Sequence, residues 1–218
     1  MSDLHFSIVG ARAEPYAAVP TLLLRLRIEE RTAQPIHFVA LRCQVMIEAK
    51  RRRYSAEEEV RLVDLFGEPH RWGDTLRTML WTHVPLIVGG FEGASEVDVP
   101  LLCTYDLEVA SSRYFRSLED GEIPLVLQFS GTVYSKGEAG FNVEQLSWTH
   151  EASYRLPVSV WRDVVDMYFP NTGWIRLRSD NLDALQEIKG RRGLTSWDEV
   201  ISSLVASEAE TVEPVEPL

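Results

Sequence analysis

The chain has 218 residues, 45% of them hydrophobic and 25% charged, which suits one large domain or a domain with an appendage. Its formal net charge of -11 argues against nucleic acid and anionic membrane as partners, unless a basic patch gathers locally. Two cysteines, Cys43 and Cys103, rule out a disulfide framework and lack metal-site spacing. With no signal-peptide pattern and no apolar run of about 18 residues, the expected setting is the cytoplasm, without a membrane span.

Leu4 to Val9 alternates loosely and reads as a first strand, followed by a proline-containing loop. In Thr21 to Glu29, Leu22, Leu24, Leu26 and Ile28 alternate with Arg25, Arg27 and Glu29, the period-two pattern of a strand with one buried face. Ile36 to Ala49 repeats it, with Val39, Leu41, Cys43, Val45 and Ile47 inward and Ala40, Arg42, Gln44, Met46 and Glu48 outward. The short connection between these two strands predicts an antiparallel pair. Cys43 reads as a small core hydrophobe rather than a reactive thiol, and Cys103 likewise. A Cys43–Cys103 redox pair stays open, although nothing local would lower either pKa.

Lys50-Arg-Arg-Arg-Tyr54 could be an anion patch, but Ser55 and Glu58 form a capping box behind it. The expected outcome is a solvated loop entering a capped helix that Gly67 stops. Trp72 is expected to pin the loop that follows. Leu80 to Val88 reads as a strand that Pro85 assigns to an edge or a bulge. Val97 to Val109 is a strand, Ser111 to Glu119 a helix, and Ile123 to Tyr134 a central strand apolar on both faces. Phe141 to Arg155 is the last long strand, with Phe141, Val143, Leu146 and Trp148 as candidate core residues. These elements predict an α+β, mainly β fold: an antiparallel β-sandwich of about eight strands over residues 1–156, with helical insertions.

The pattern changes at Pro157. Val158 to Phe169 has helical spacing, and residues 157–206 read as a helical region packed on the sandwich. Within it, Trp174 to Arg178 reads as a strand and Ser179 to Arg192 as a helix capped by Ser179 or Asp180, with Leu182, Leu185 and Ile188 inward. Thr195 to Val205 reads as a second helix, capped by Thr195 or by a Ser196–Glu199 capping box, with an apolar stripe from Trp197 to Val205. Residues 207–218, rich in glutamate and proline, read as a disordered acidic tail.

This strand-helix-helix spacing resembles the ribbon-helix-helix family of dimeric DNA-binding proteins. That resemblance would turn Arg176 and Arg178 toward DNA and offer the backbone at Thr195 and Ser196 to a phosphate. Against DNA, the basic Arg176, Arg178, Lys189, Arg191 and Arg192 are matched one for one by Asp180, Asp183, Glu187, Asp198 and Glu199. Three readings of the stretch remain: packing on the sandwich, pairing with a protein partner or a second copy in a homodimer, and DNA binding. The candidate interaction residues are Trp174, Arg176, Arg178, Arg191 and Arg192.

Segments along the chain also resemble, from about Phe6 to Leu204, an uncharacterised bacterial domain-of-unknown-function family. They are Ala40-Leu-Arg-Cys-Gln44, Arg52-Arg-Tyr-Ser55, Leu65-Phe-Gly-Glu-Pro69, Arg71-Trp-Gly-Asp74, Trp81-Thr-His83, Gly173-Trp-Ile-Arg-Leu177 and Ala184-Leu-Gln-Glu-Ile-Lys189. Members of that family are often encoded beside high-affinity nickel–iron uptake hydrogenases, which implies an accessory or assembly role with the hydrogenase or its assembly factors as partner. The resemblance carries no site residues.

No catalytic motif stands out, and no metal or cofactor site is expected: His5, His37, His70, His83 and His150 are scattered, and a nickel chaperone would want them clustered. His83 and Cys103, on strands that could be neighbours, are the pair to check. The expected function is a non-catalytic accessory or scaffold protein. A DNA-binding regulator and an enzyme of unknown reaction are the alternatives, the last requiring a polar pocket with convergent carboxylates or histidines.

Overall fold

A computed structural model describes residues 2–103, 109–137, 140–170 and 177–211. The chain divides into two compact units, Met1–Thr172 and Gly173–Leu218. The first holds two antiparallel sheets. One has the order β1 (Leu4–Ala13), β2 (Thr21–Glu30), β5 (Ala94–Leu102). The other has the order β4 (Met79–Val88), β3 (Ile36–Ile47), β6 (Glu122–Gly137), β7 (Gly140–Pro157). The fold is thus α+β and mainly β, as expected.

Period-two alternation decides the interior. Leu22, Leu24, Leu26 and Ile28 of β2 are fully buried, as are Val39, Cys43, Val45 and Ile47 of β3 and Leu127 and Phe129 of β6. The ring of Phe6 in β1 stacks on that of Phe129 at 4.5 Å between centroids, so the inner faces of the two sheets share one core. Pro85 lies in an edge strand, where its missing N–H is harmless.

The expected pairing of β2 with β3 is wrong: β2 pairs with β1 and β5, and β3 with β4 and β6. The connection crosses from one sheet to the other, and a buried carboxylate organises it. Glu30 accepts hydrogen bonds from the backbone N–H groups of Asp3, Thr32 and Gln34 and from the Thr32 hydroxyl. Burial alone would raise the Glu30 pKa, but these donors outweigh it and hold it below the usual carboxylate range. Ala33 takes a positive φ of 58°. Ile36 then exchanges backbone hydrogen bonds with Phe91 rather than with β2. A short connection bridges the gap of about 10 Å between packed sheets as readily as it makes a hairpin.

A second correction concerns β7. Phe141 and Val143 are 63% and 60% exposed, whereas Leu146 is buried. Side chains at odd and even positions of one strand point to opposite faces, so these residues could not share a core without a break in register. The break in β7 comes after Leu146, where the partner of Gly131 is Leu146 and that of Phe129 is His150. Gly131 has φ 154°, and a Cβ there would lie 2.0 Å from the Ala40 carbonyl oxygen.

Helix α1 (Ala56–Phe66) starts at the expected capping box: Ser55 accepts from Glu58 N–H, and Glu58 accepts from Ser55 N–H. Gly67 closes it at φ 74°, and Trp72, in the short helix α2 (Trp72–Thr75), donates its indole N–H to the Gly67 carbonyl at 2.8 Å. The basic run before the helix is not wholly solvated. Arg52 and Glu58 form an ion pair at 2.6 Å with side chains 7% and 4% exposed. Arg52 also donates to the carbonyls of Asp120 and Glu122, at 2.6 and 2.8 Å. Glu58 accepts the Glu119 N–H as well. One ion pair therefore ties the β3–α1 connection to the turn between α3 (Val109–Ser117) and β6. Around it, Tyr54 bonds the Ala49 carbonyl and the Tyr114 hydroxyl. Helix α4 (Val158–Tyr168) buries Val158, Trp161 and Val164, and Tyr168 donates to the Glu14 and Ala17 carbonyls.

The second unit is a helical hairpin of α5 (Ser179–Arg192) and α6 (Trp197–Thr211), so helix continues beyond Val205. The strand expected at Trp174 to Arg178 lies outside the described residues up to Arg176; Leu177 and Arg178 are not in a strand. Arg178 occupies the N-cap, with Ser179 and Asp180 already inside α5, and Gly193 ends it in the left-handed conformation. The Ser196–Glu199 capping box forms. No residue of α5 is buried: Leu182 is exposed and Leu185 and Ile188 are half-exposed, contrary to their expected inward placement. The expected tail lies outside the described residues from position 212.

Removing one member of a buried ion pair typically costs about 3 kcal/mol. Glu58→Gln should therefore lower the unfolding free energy by roughly that amount at pH 7, measured by urea denaturation. Burial works to raise the Glu58 pKa, but its hydrogen bonds and Arg52 bring it below the usual range. Its contribution is thus complete above the unfolded carboxylate pKa and is lost as pH falls through the depressed folded value. The gap between wild type and variant should close toward acid pH; a gap independent of pH would refute this account.

Candidate functional site

The register of the four-stranded sheet sets out its outer face row by row. Lys136 and Phe141 form one end; then come Phe38, Tyr134 and Val143; then Ile87, Ala40, Thr132 and Gln145; then Pro85, Arg42 and Ser130; then His83, Gln44, Gln128 and Glu151; then Leu80, Met46, Val126 and Ser153; and finally Pro124 with Arg155, and Glu122. The formal charges in these rows are Arg42, Glu151 and Lys136, with Arg155 and Glu122 paired at 3.8 Å at the far end, so the middle of the face is sparsely charged. Ile87 is 71% exposed, and Leu80 and Val143 are also exposed. Phe38 stacks on Tyr134 at 4.1 Å between centroids, and His37 packs beside Phe141 at 4.8 Å. Arg42 is exposed and enters no ion pair among the described residues.

The outer face of the three-stranded sheet is the opposite. Arg25 binds Asp98 at 2.7 Å, Arg12 binds Asp98 at 3.0 Å, and Arg27 binds Glu29 at 2.8 Å and Glu96 at 3.4 Å. This cross-strand ladder satisfies its own charges and suits contact with water.

Two depressions open on or beside the outer face of the four-stranded sheet. One, of about 420 Å³, lies among Ala40, Arg42, Pro85, Ile87 and Gly131. The other, of about 630 Å³, runs along Leu80, Trp81, His83, Pro85, Pro100 and Leu102, where the edge strands β4 and β5 approach each other. Pro85 and Pro100 each remove an N–H from an edge strand, which blunts strand addition. The groove is thus suited to receiving side chains rather than an added strand.

Cys43 is fully buried, and burial pushes its thiol up to about 12. Burial likewise raises the Tyr54 hydroxyl to about 12 and the Tyr114 hydroxyl further. His83 faces the Gln44 side chain at 3.3 Å, and His150 faces the Ser147 carbonyl at 2.8 Å. Cys103 follows β5 and contacts the Leu101 carbonyl through sulfur at 3.6 Å. Among the described residues, no group of three His, Cys, Asp or Glu side chains could hold a metal ion. No helix among them is long and apolar enough to cross a membrane.

Of the candidate interaction residues, Trp174 and Arg176 lie outside the described residues. Arg178 pairs with Asp180 at 2.7 Å, and Arg192 donates to the Ser203 hydroxyl. Arg178 stands at the N-cap of α5, and Arg191 and Arg192 stand in its last turn. A helix of that length separates them by about 20 Å, so they do not form one basic patch. The sheet-face residues Leu80, Pro85, Ile87, Tyr134 and Val143 escaped the sequence reading. A signal was nonetheless there: the outward positions of β3, Phe38 to Met46, carry a single charge, Arg42.

The model of a family of unknown function, DUF6084, matches residues 1–213. No curated protein sequence matches the chain. Among solved structures, a β-glucosidase from Kluyveromyces marxianus aligns with 71% of this chain and 15% of its own, at 10% identity and a TM-score of 0.26. The putative ApaA protein from Bordetella pertussis aligns over 71% and 93%, at 14% identity and a TM-score of 0.21. β-Glucosidase 3B from Thermotoga neapolitana aligns over 71% and 17%, at 13% identity and a TM-score of 0.23. These likenesses are too slight to bear on fold or activity.

The thiols offer a direct check on the site's chemistry. Cys43 should resist a thiol reagent at pH 8 in the native state and react on unfolding, whereas the half-buried Cys103 should react natively at a measurable rate. Native labelling of Cys43, identified by peptide mass, would contradict its assignment as a core residue.

Proposed function

The chain belongs to the DUF6084 family, whose function is unknown, and we propose that it acts without catalysis, as an accessory protein that docks a protein partner on the outer face of its four-stranded sheet. The contrast between the two outer faces carries this reading. A sheet face that meets only water normally carries charges, as the three-stranded sheet does with its ladder. The middle of the face of β4, β3, β6 and β7 instead offers Phe38, Tyr134, Met46, Ile87, Leu80 and Val143 around Arg42, which enters no ion pair among the described residues, with Glu151 as the other charge there. Aromatic residues, Met and Arg are enriched in the centres of protein interfaces, and Lys, Glu and Asp are depleted there. The resemblance to proteins encoded beside nickel–iron uptake hydrogenases makes a hydrogenase, or one of its assembly factors, the first partner to test.

The test compares binding of purified candidate partners to the wild-type chain, to Ile87→Glu/Val143→Glu, and to Val60→Glu, which adds a carboxylate at an exposed apolar site of α1. The double variant should weaken binding by at least about tenfold, roughly 1.4 kcal/mol, and Val60→Glu should leave it unchanged. Equal binding by all three proteins would remove the sheet face from the interface. Turnover of a substrate by the purified chain would overturn the non-catalytic reading.

A further inference from the structure

We propose that the partner docked on the four-stranded sheet presents to Arg42 an Asp or Glu carboxylate set among apolar residues. This inference rests on the docking role of that face and names the chemistry the docked surface carries. Arg42 stands near the middle of the face, on the inner strand β3, between Pro85 of β4 and Ser130 of β6. It lines the depression of about 420 Å³ beside Ala40, Pro85, Ile87 and Gly131. None of those neighbours has a side-chain acceptor. The exposed guanidinium, rich in N–H donors, has no carboxylate and no hydrogen-bond partner among the described residues. The polar side chains further off are engaged with one another: Gln44 with His83 at 3.3 Å, and Thr132 with Gln145 at 3.2 Å. The Ser130 hydroxyl stands next to Arg42 as a second donor.

Charge selects the occupant. The acid in the middle of the face is Glu151, one row and two strands from Arg42. Strand spacing and rise put their Cα atoms about 12 Å apart, beyond the screening length of roughly 8 Å for exposed charges at physiological salt. The rows from Arg42 to Phe38 hold no acid, so Arg42 is uncompensated where the apolar side chains gather. A carboxylate matches the planar guanidinium with two parallel N–H···O bonds. A polyanion does not match the face. Lys136 and Arg155 stand at its opposite ends, Arg155 is paired with Glu122 at 3.8 Å, and the net charge of -11 repels phosphate-rich partners. A wholly apolar partner would bury the guanidinium without an acceptor, which is unfavourable. The matching surface is therefore apolar and carries a single carboxylate.

Nuclear magnetic resonance of the full chain tests this, with titration of the blocked tripeptides acetyl-Leu-Glu-Leu-amide, acetyl-Leu-Gln-Leu-amide and acetyl-Leu-Lys-Leu-amide. The glutamate peptide should shift the Arg42 Nε–H and Ile87 methyl resonances, with a dissociation constant at least tenfold below that of the glutamine peptide. The lysine peptide should bind most weakly. Arg42→Met, which keeps an apolar stem, should bring the glutamate and glutamine peptides to equal affinity. Absence of any shift at Arg42, equal affinity for the three peptides, or a glutamate preference that survives Arg42→Met overturns the proposal. So do phosphatidylglycerol vesicles that shift the same resonances as strongly, since they would assign the face to a lipid surface. The docking role is judged separately on the purified partner: if Ile87→Glu/Val143→Glu loses binding while Arg42→Met keeps it in full, the interface stands and the carboxylate falls.

Discussion

The buried carboxylate of Glu30 turns the chain from one sheet to the other, and most of the β-rich unit follows from that turn. β2 and β3 are both one-sided: each carries an unbroken row of apolar side chains on one face. Side by side in one sheet, they would leave that sheet's apolar face for other elements to cover. Placed in opposite sheets, they close on each other. Ionised and held by donors from Asp3, Thr32 and Gln34, Glu30 makes the crossing specific. A buried carboxylate without those donors would be strongly unfavourable.

A second buried charge does for the helices what Glu30 does for the sheets. The Arg52–Glu58 pair joins the β3–α1 connection to the backbone of Asp120 and Glu122. Gly121, at φ 78°, lies against the Arg52 guanidinium, where an added Cβ would come within 3.1 Å of it. The capping box of α1 and this ion pair share Glu58, so helix start and tertiary contact are fixed by one side chain. The pair adds specificity of placement more surely than it adds stability, since two charges lose hydration on burial.

Much of this was legible before any coordinates. Period-two alternation located the inward faces of β2, β3 and β6, and Ser55 with Glu58, Ser196 with Glu199, Gly67 and Gly193 marked helix ends because caps act within one turn. What escaped depends on residues distant in sequence. The partner of β2 rests on how Glu30 meets Asp3. The burial of Arg52 rests on carbonyls some seventy positions away, so a basic run read locally looks solvated. The outward turn of Phe141 and Val143 follows from the register of β7 around Gly131. The sheet face was the hardest part to read, because it is assembled from alternate residues of four strands and no single segment displays it.

The middle of that face carries less charge than the fold would allow. Folding makes no demand on the outward positions of β3 and β6 beyond strand propensity, so Lys, Glu or Arg would serve at Gln44, Gln128, Ser130 or Thr132. Natural sheets commonly place charges outward, and exposed apolar surface invites aggregation when nothing covers it. The chain has charge in plenty, with a net of -11, and it spends a paired ladder on the other sheet. Leaving Ile87, Leu80 and Val143 exposed on this face is a liability that the fold does not require.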